Sequence, residues 1–330
     1  MIQDYLQNKI NESYEILKLA AEMSKEYYQQ PLILTYSGGK DSDVMLELAI
    51  ECLKPNEFEV MNNHTTVDAP ETVYYIRKRF KELEEQGIKA TIQYPHYKDG
   101  RFKSMWTLIY DNEMPPTRLA RYCCRQLKET SIPNRFIAVG VREAESNSRR
   151  GRESFATREQ KKSDVNYYSR SHVREVFEDD KNRRIESGIQ SANEIGVYDC
   201  TFITKAKNKS DLICSPIYKW LDDEIWTFIK DRNMDSNPLY EEGFLRVGCI
   251  GCPFSGDRVK VLNRYPIYKQ NYINAFNRML DKRIKRGKKN ISSDGCVWSS
   301  GEKVYKWWVG DDTIDGQMNI YDFLNEGTNE

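Results

Sequence analysis

Between residues 31 and 94, short apolar runs alternate with stretches of helical period across connections of only a few residues. Short links leave little room for anything but parallel strands joined by crossover helices. The reading is strand 31–36, helix 42–53, strand 57–62, helix 70–86 and strand 89–94. Before it, Tyr5, Leu6, Ile10, Tyr14, Leu17, Leu19 and Ala20 fall at helical spacing and predict one long opening helix. After it come a helical stretch near 102–111, a buried strand over 135–140 and an edge strand or hairpin over 201–204. The expected fold class is α/β, a parallel twisted sheet with helices on both faces and a helical C-terminal region.

Three regions follow: an N-terminal helix (1–29), an α/β domain (30–215) and a helical region (216–330) with helices at 221–230 and about 257–286. Within the second, 145–196 is polar and aperiodic. Arg149, Arg150, Arg152, Lys161, Lys162, Arg183 and Arg184 are interleaved there with nearly as many acids, which suits a long solvated insertion better than a nucleic-acid surface.

Composition excludes several classes. The 50 Lys and Arg balance 50 Asp and Glu, so no global basic field points to nucleic acid. A 39% hydrophobic content with 21 Tyr and 6 Trp argues against disorder. No leader is evident and no run approaches the ~20 apolar residues of a membrane span, so a soluble, cytoplasmic protein is expected. The eight cysteines then suit metal or redox chemistry better than disulfides. Cys52 and Cys200 read as small buried residues; Cys123-Cys124 and Cys249-Ile250-Gly251-Cys252 can converge on one metal centre.

The first strand runs into Tyr36-Ser37-Gly38-Gly39-Lys40-Asp41-Ser42. Glycines permit positive φ and close backbone approach, the helix opening near Asp41 turns amides and a favourable dipole toward an anion, and Lys40 adds a cation. The four-residue gap of a Walker A loop is missing, so the reading is a phosphate-binding loop of another kind. Ser-Gly-Gly-x-Asp-Ser after a first parallel strand resembles the signature of the PP-loop ATP pyrophosphatases. That resemblance implies that Ser37, Gly38, Gly39, Lys40, Asp41 and Ser42 hold the β,γ-pyrophosphate of ATP with Mg²⁺ while the α-phosphate is attacked.

Further matches resemble one branch, the phosphoadenylylsulfate (PAPS) reductase family. The segment from His64 through Thr66, Asp68 and Pro70 to Thr72 is similar to its element near the adenosine, with Thr66 the nucleotide-contact candidate. The run Gly140-Val141-Arg142 through Glu145, Ser146 and Arg149 is similar to its late-strand element, making Arg142 and Arg149 anion contacts. Ser215-Pro216-Ile217 with Trp220, and Asn237-Pro238-Leu239-Tyr240, also match and read as packing and turn chemistry.

In the same family a Cys-Cys and Cys-x-x-Cys set holds a [4Fe-4S] cluster, which implies Cys123, Cys124, Cys249 and Cys252 as ligands. Four thiolates also suit structural zinc, buried metal-free thiols remain a third reading, and Cys214 can replace one of the adjacent pair. An intact Lys40 and Asp41 favour ATP over a sulfonucleotide, which has no β,γ-pyrophosphate to hold. The expected reaction is cleavage of ATP to AMP and pyrophosphate, adenylating an acceptor for iron–sulfur-dependent sulfur transfer; Lys40, Asp41 and Arg142 are its catalytic candidates. The alternatives are a sulfonucleotide reductase using Cys296, which lacks the usual flanking Glu and His, or an accessory nucleotide-binding protein. The acceptor is open, with nucleic acid supported only by the basic run 282–289; a sulfur-donor protein and self-association are open as well.

Overall fold

The computed structural model describes residues 4–128, 132, 135–145, 153–158, 165–169, 172–173, 175, 212–292 and 295–310. Two compact units emerge, neither of them a continuous stretch of chain. Arg149, Cys200 and the strand expected at 201–204 lie outside the described residues.

Unit 1 combines Met1–Asn63, Pro70–Gln93 and Thr130–Val247. It opens with helix α1 (Asp4–Met23) and contains strands β1 (Leu32–Thr35), β2 (Phe58–Asn63), β3 (Ala90–Gln93) and β4 (Phe136–Ala138). Helices α2 (Lys40–Cys52) and α3 (Pro70–Glu85) make the crossovers. With β5 (Phe155–Arg158), β6 (Val165–Tyr168) and β7 (Leu212–Cys214) they form one sheet in the order β3-β2-β1-β4-β7-β5-β6. The first five positions are parallel, as the alternation predicts. Leu32, Ile33 and Leu34 are buried on both sides of β1, the continuous apolar pattern of a covered parallel strand.

Two features depart from the expectation. The stretch read as a solvated insertion supplies β5 and β6, which extend the sheet antiparallel from β7. The fully buried Phe155 makes an edge contact with Phe136 (centroids 6.3 Å apart). Residues 216–247, expected with the C-terminal region, group with the sheet. Helix α5 (Asp222–Asp231) buries Ile225, Phe228 and Ile229 in the sheet's core, and Trp220 stacks edge-on against Phe228 while its Nε1 donates to Ser13 Oγ (3.1 Å).

Unit 2 combines His64–Ala69, Tyr94–Glu129 and Gly248–Glu330. Its helices are α4 (Met105–Asn112), α6 (Arg258–Arg264), α7 (Pro266–Lys285) and α8 (Gly301–Val309), with a wide π turn at Cys124–Lys128. The single helix expected at 257–286 is two, because Pro266 lacks an N–H and starts a new helix at its first position. Tyr272 of α7 is fully buried between Trp106 (4.9 Å) and Trp308 (4.7 Å). A Cβ on Gly301 would stand 2.4 Å from the Ile273 carbonyl oxygen, so only glycine lets α8 begin against α7. No helix among the described residues is long and apolar enough to cross a membrane.

The basic run 282–289 is largely occupied within this unit. Glu113, in left-handed conformation at the end of α4, is buried beneath it and ion-paired with Arg286 and with Lys288 (2.6 Å), while Arg283 donates to the Glu113 carbonyl (2.9 Å). Hydrogen bonds from Lys288 and then Arg286 hold the Glu113 carboxyl down to about 2. A depressed carboxyl stabilises the fold above its unfolded value and loses that contribution as the pH falls toward its folded one. Stability should therefore decline between about pH 4.5 and about pH 2. Glu113→Gln should be less stable at neutral pH and flatter across that window, as urea unfolding at stepped pH would read.

Candidate functional site

In unit 1 the loop between β1 and α2 is shaped by contacts from distant residues. Gly38 has φ +70°, and a Cβ there would lie 2.8 Å from Ile76 Cγ1, so both conformation and space demand glycine. Asn237, fully buried, donates from Nδ2 to the Gly38 carbonyl (2.9 Å) and to Thr72 Oγ1 (3.1 Å). The Lys40 N–H donates to the Tyr240 hydroxyl (2.9 Å). Ser42 Oγ accepts from the Ser37 and Gly39 amides (3.3 and 3.2 Å) and donates to the Gly39 carbonyl (2.7 Å). The loop is thus held open at the start of α2, where helix amides and dipole favour an anion.

Four charges meet at its rim. Lys40 Nζ lies 3.1 Å from Asp222 Oδ1 and 3.7 Å from Asp41 Oδ2. Arg142, buried, donates from Nε to Asp41 (2.6 Å), from Nη2 to Asp222 (2.7 Å) and from Nη1 to the Trp220 carbonyl (3.3 Å). Its guanidinium therefore joins two carboxylates instead of facing outward as an open anion contact. Burial pushes the Asp41 carboxyl up against the pull of Arg142 and Lys40. At Asp222 burial also opposes ionisation, but the hydrogen bonds from Arg142 and Lys40 prevail and lower it. Behind them Asp43 is fully buried and raised to about 7 by that burial, with the Tyr36 hydroxyl donating to it at 2.5 Å.

Lys40 and Asp41 beyond β1, Arg142 beyond β4 and Asp222 at the start of α5 can receive a polyphosphate together with a divalent cation: Lys40 and Arg142 match phosphate oxygens, and one or two carboxylates suffice for Mg²⁺. Removing the Asn237 clamp tests the loop's rigidity. Asn237→Ala leaves two buried acceptors unmet at a cost of about 1–3 kcal/mol each at most. The expected result is a lower melting temperature and faster hydrogen exchange at Gly38 and Gly39, with β2 unaffected.

The four candidate cysteines all belong to unit 2. Cys249 and Cys252 flank a tight turn in which Gly251 has φ +74° and a Cβ would lie 2.9 Å from both Tyr272 and Trp308. That turn is tied down by Ile250, whose N–H donates to Val67 O (2.7 Å) and whose carbonyl accepts from the Tyr272 hydroxyl (2.9 Å). Cys249 Sγ donates to Thr65 Oγ1 (3.5 Å), and Thr65 in turn donates its hydroxyl and amide to Asp68 (2.7 and 2.9 Å).

Cys123 and Cys124 enter the same neighbourhood. Cys123 interacts with Cys124 and Cys249, and Cys249 with Cys252 and the Lys128 ammonium. The hydrogen bond from Cys123, helped by Arg121 and Lys128, lowers the Cys124 thiol, while Cys123 is held up by the same bond and by burial. The charge of Cys249 raises Lys128. Among the described residues, no group of three or more His, Cys, Asp or Glu side chains is arranged to hold a metal ion as it stands, and the described cysteines are free thiols. Cys214 is buried in β7 of unit 1, outside this set. Thr66 is also in unit 2, where at φ 68° its hydroxyl accepts from the Met105 N–H (2.9 Å).

In the sequence Asn237 and Tyr240 are legible only as turn and packing residues, and Asp222, Thr65 and Lys128 are not singled out. The cue available in sequence was the Asn-Pro-Leu-Tyr turn itself, whose Asn and Tyr both reach the loop.

The family described as phosphoadenosine phosphosulfate reductase domain matches residues 31–255. An uncharacterized protein of Methanocaldococcus jannaschii is 22% identical over 285 residues, covering 84% of this chain and 56% of that protein. The adenosine 5'-phosphosulfate reductase of Oceanobacillus iheyensis is 30% identical over 66 residues, 20% of this chain and 28% of that enzyme. The chain thus spans about half or less of the length of the curated relatives it matches. The crystal structure of the phosphoadenylyl-sulfate reductase from Candida auris aligns with 76% of this chain and 96% of its own at 12% identity and TM-score 0.39.

Proposed function

The chain belongs to the phosphoadenosine phosphosulfate reductase domain family, and from that premise we propose that it cleaves ATP to AMP and pyrophosphate, adenylating an acceptor for sulfur transfer. The observation that carries this reading is the rim of the loop, where Lys40 and Arg142 are braced by Asp41 and Asp222. A sulfonucleotide has no β,γ-pyrophosphate for this loop to hold. The acceptor's oxygen attacks the α-phosphorus, the bond to the bridging oxygen breaks, and pyrophosphate leaves toward the loop amides and Lys40. A sulfur nucleophile then displaces AMP.

Asp41 and Asp222 are the residues that would hold Mg²⁺, which when bound neutralises charge on the departing pyrophosphate. Lys40 and Arg142, which pair with these carboxylates, are the cations that would meet the phosphate oxygens. Asn237 and Tyr240 keep the Gly38 carbonyl and Lys40 amide fixed, so little reorganisation is needed as charge develops.

Cys123, Cys124, Cys249 and Cys252 fit a [4Fe-4S] cluster by donor chemistry: they are four soft thiols, Cys123 interacting with Cys124 and Cys249, and Cys249 with Cys252 across a glycine-dependent turn. Such a cluster when bound supplies a site for a sulfur ligand or an electron reservoir. Lys128 offsets anionic charge at Cys249, and Thr65 orients its sulfur.

The test is product analysis with ATP, Mg²⁺ and candidate acceptors under anaerobic conditions. Stoichiometric AMP and pyrophosphate support the proposal. Sulfite released from a sulfonucleotide, with ATP untouched, would replace it with the reductase reading.

A further inference from the structure

The glycine loop of unit 1 leaves one polar proton beside it without a use. The Tyr240 hydroxyl oxygen accepts the Lys40 N–H (2.9 Å), and the Val247 backbone N–H is a second donor toward it. A phenol that accepts still has its own O–H to give. Among the described residues no acceptor takes that proton. The oxygen stands beside the second glycine of the loop, 3.4 Å from where a Cβ on Gly39 would lie.

The residue that carries this hydroxyl is fixed against the loop. Tyr240 closes the short turn Pro238–Tyr240, its N–H donating to the Asn237 carbonyl (3.0 Å) while the Asn237 side chain accepts from the Leu239 N–H (3.2 Å). The same Asn237 side chain holds the Gly38 carbonyl and Thr72. Trp226 of α5 closes one side of the Tyr240 ring, edge-on with centroids 5.1 Å apart at 88°. What remains free is the rotation of the O–H, which turns to suit whatever acceptor arrives. Burial holds the phenol up to about 12, so it keeps its proton throughout the neutral range.

We propose that Tyr240 is a further catalytic residue, whose O–H donates to an oxygen of the pyrophosphate on the loop and relays the pull of the Lys40 amide through the phenol oxygen. The inference rests on the reading above, in which pyrophosphate is the group that the loop holds. As the bond from the α-phosphorus to the bridging oxygen breaks, its electron pair goes to the departing pyrophosphate, and charge grows on the oxygens that Tyr240 meets. No proton moves, because pyrophosphate is less basic than the Tyr240 phenolate. A hydroxyl that accepts from an amide is polarised into a better donor, and a donor already in place needs no reorganisation as the charge develops. The rival role is a placeholder: the hydroxyl occupies the Lys40 amide until a phosphate oxygen displaces it, and its removal then tightens binding.

The measurement is isothermal titration calorimetry of the full chain with magnesium pyrophosphate and no ATP. Tyr240→Phe should bind about tenfold more weakly or worse, the loss of a hydrogen bond to a charged group. That variant also frees the Lys40 amide, so a second one separates the two roles. Tyr240→monofluorotyrosine gives its proton more readily and accepts less well, and it should bind pyrophosphate about twofold more tightly. A hydroxyl that only pins the Lys40 amide predicts the opposite sign. With ATP, Tyr240→Phe should lose more in kcat than in KM, because the bond strengthens as charge builds. Equal or tighter pyrophosphate binding by Tyr240→Phe, or weaker binding by the fluorinated variant, overturns the inference and leaves the reading above standing. No pyrophosphate binding by the unchanged chain overturns both.

Discussion

Lys40→Met should lower ATP-dependent pyrophosphate release about 100-fold or more, equivalent to roughly 2.7 kcal/mol of transition-state stabilisation. The lysine's side chain is 7% exposed, and its nearest charges are Asp222 and Asp41, so its removal leaves two carboxylates facing the departing pyrophosphate with Arg142 alone. Ground-state ATP binding should weaken much less, because the loop amides and the start of α2 are unchanged. Lys40→Arg keeps the charge and should recover part of the rate. A loss below tenfold, with AMP still formed, would mean that the loop does not carry the chemistry.

Cys249→Ser and Cys252→Ser should each abolish iron incorporation. Anaerobically prepared protein is expected to hold about four irons per chain with a broad visible absorbance, and either substitution should remove both. Cys249 is tied through Thr65 to Asp68, and Gly251 leaves no room for a rearranged turn between Tyr272 and Trp308. A serine hydroxyl therefore cannot recruit a replacement thiol. Cys52→Ser, at the end of α2 in the other unit, should keep the full iron content. Zinc without iron in the unsubstituted protein would reject the cluster and leave a structural Cys₄ site.

The parallel part of the sheet was legible because its strands are continuous apolar runs and its helices are long and periodic. The hairpin of β5 and β6 was not, since strands of four residues carry too little period to separate from a loop. Charge was misleading in a different way. The basic run at 282–289 looked like the place for a polyanion, yet Glu113, some 170 positions earlier, engages much of it.

By itself the sequence determined the α/β class and the glycine turn from the first strand into α2, because glycine conformations, helix starts and apolar periodicity act over a few residues. It also named the thiols. Only the tertiary structure decided that Asp222 and Arg142 brace Lys40 and Asp41, that Tyr240 pins the loop from 200 residues away, and that Thr65 meets Cys249. These are pairings of buried charges and polar atoms. Each is costly to leave unmet, yet any of many partners could meet it, and the choice is made only when the chain closes its long-range contacts.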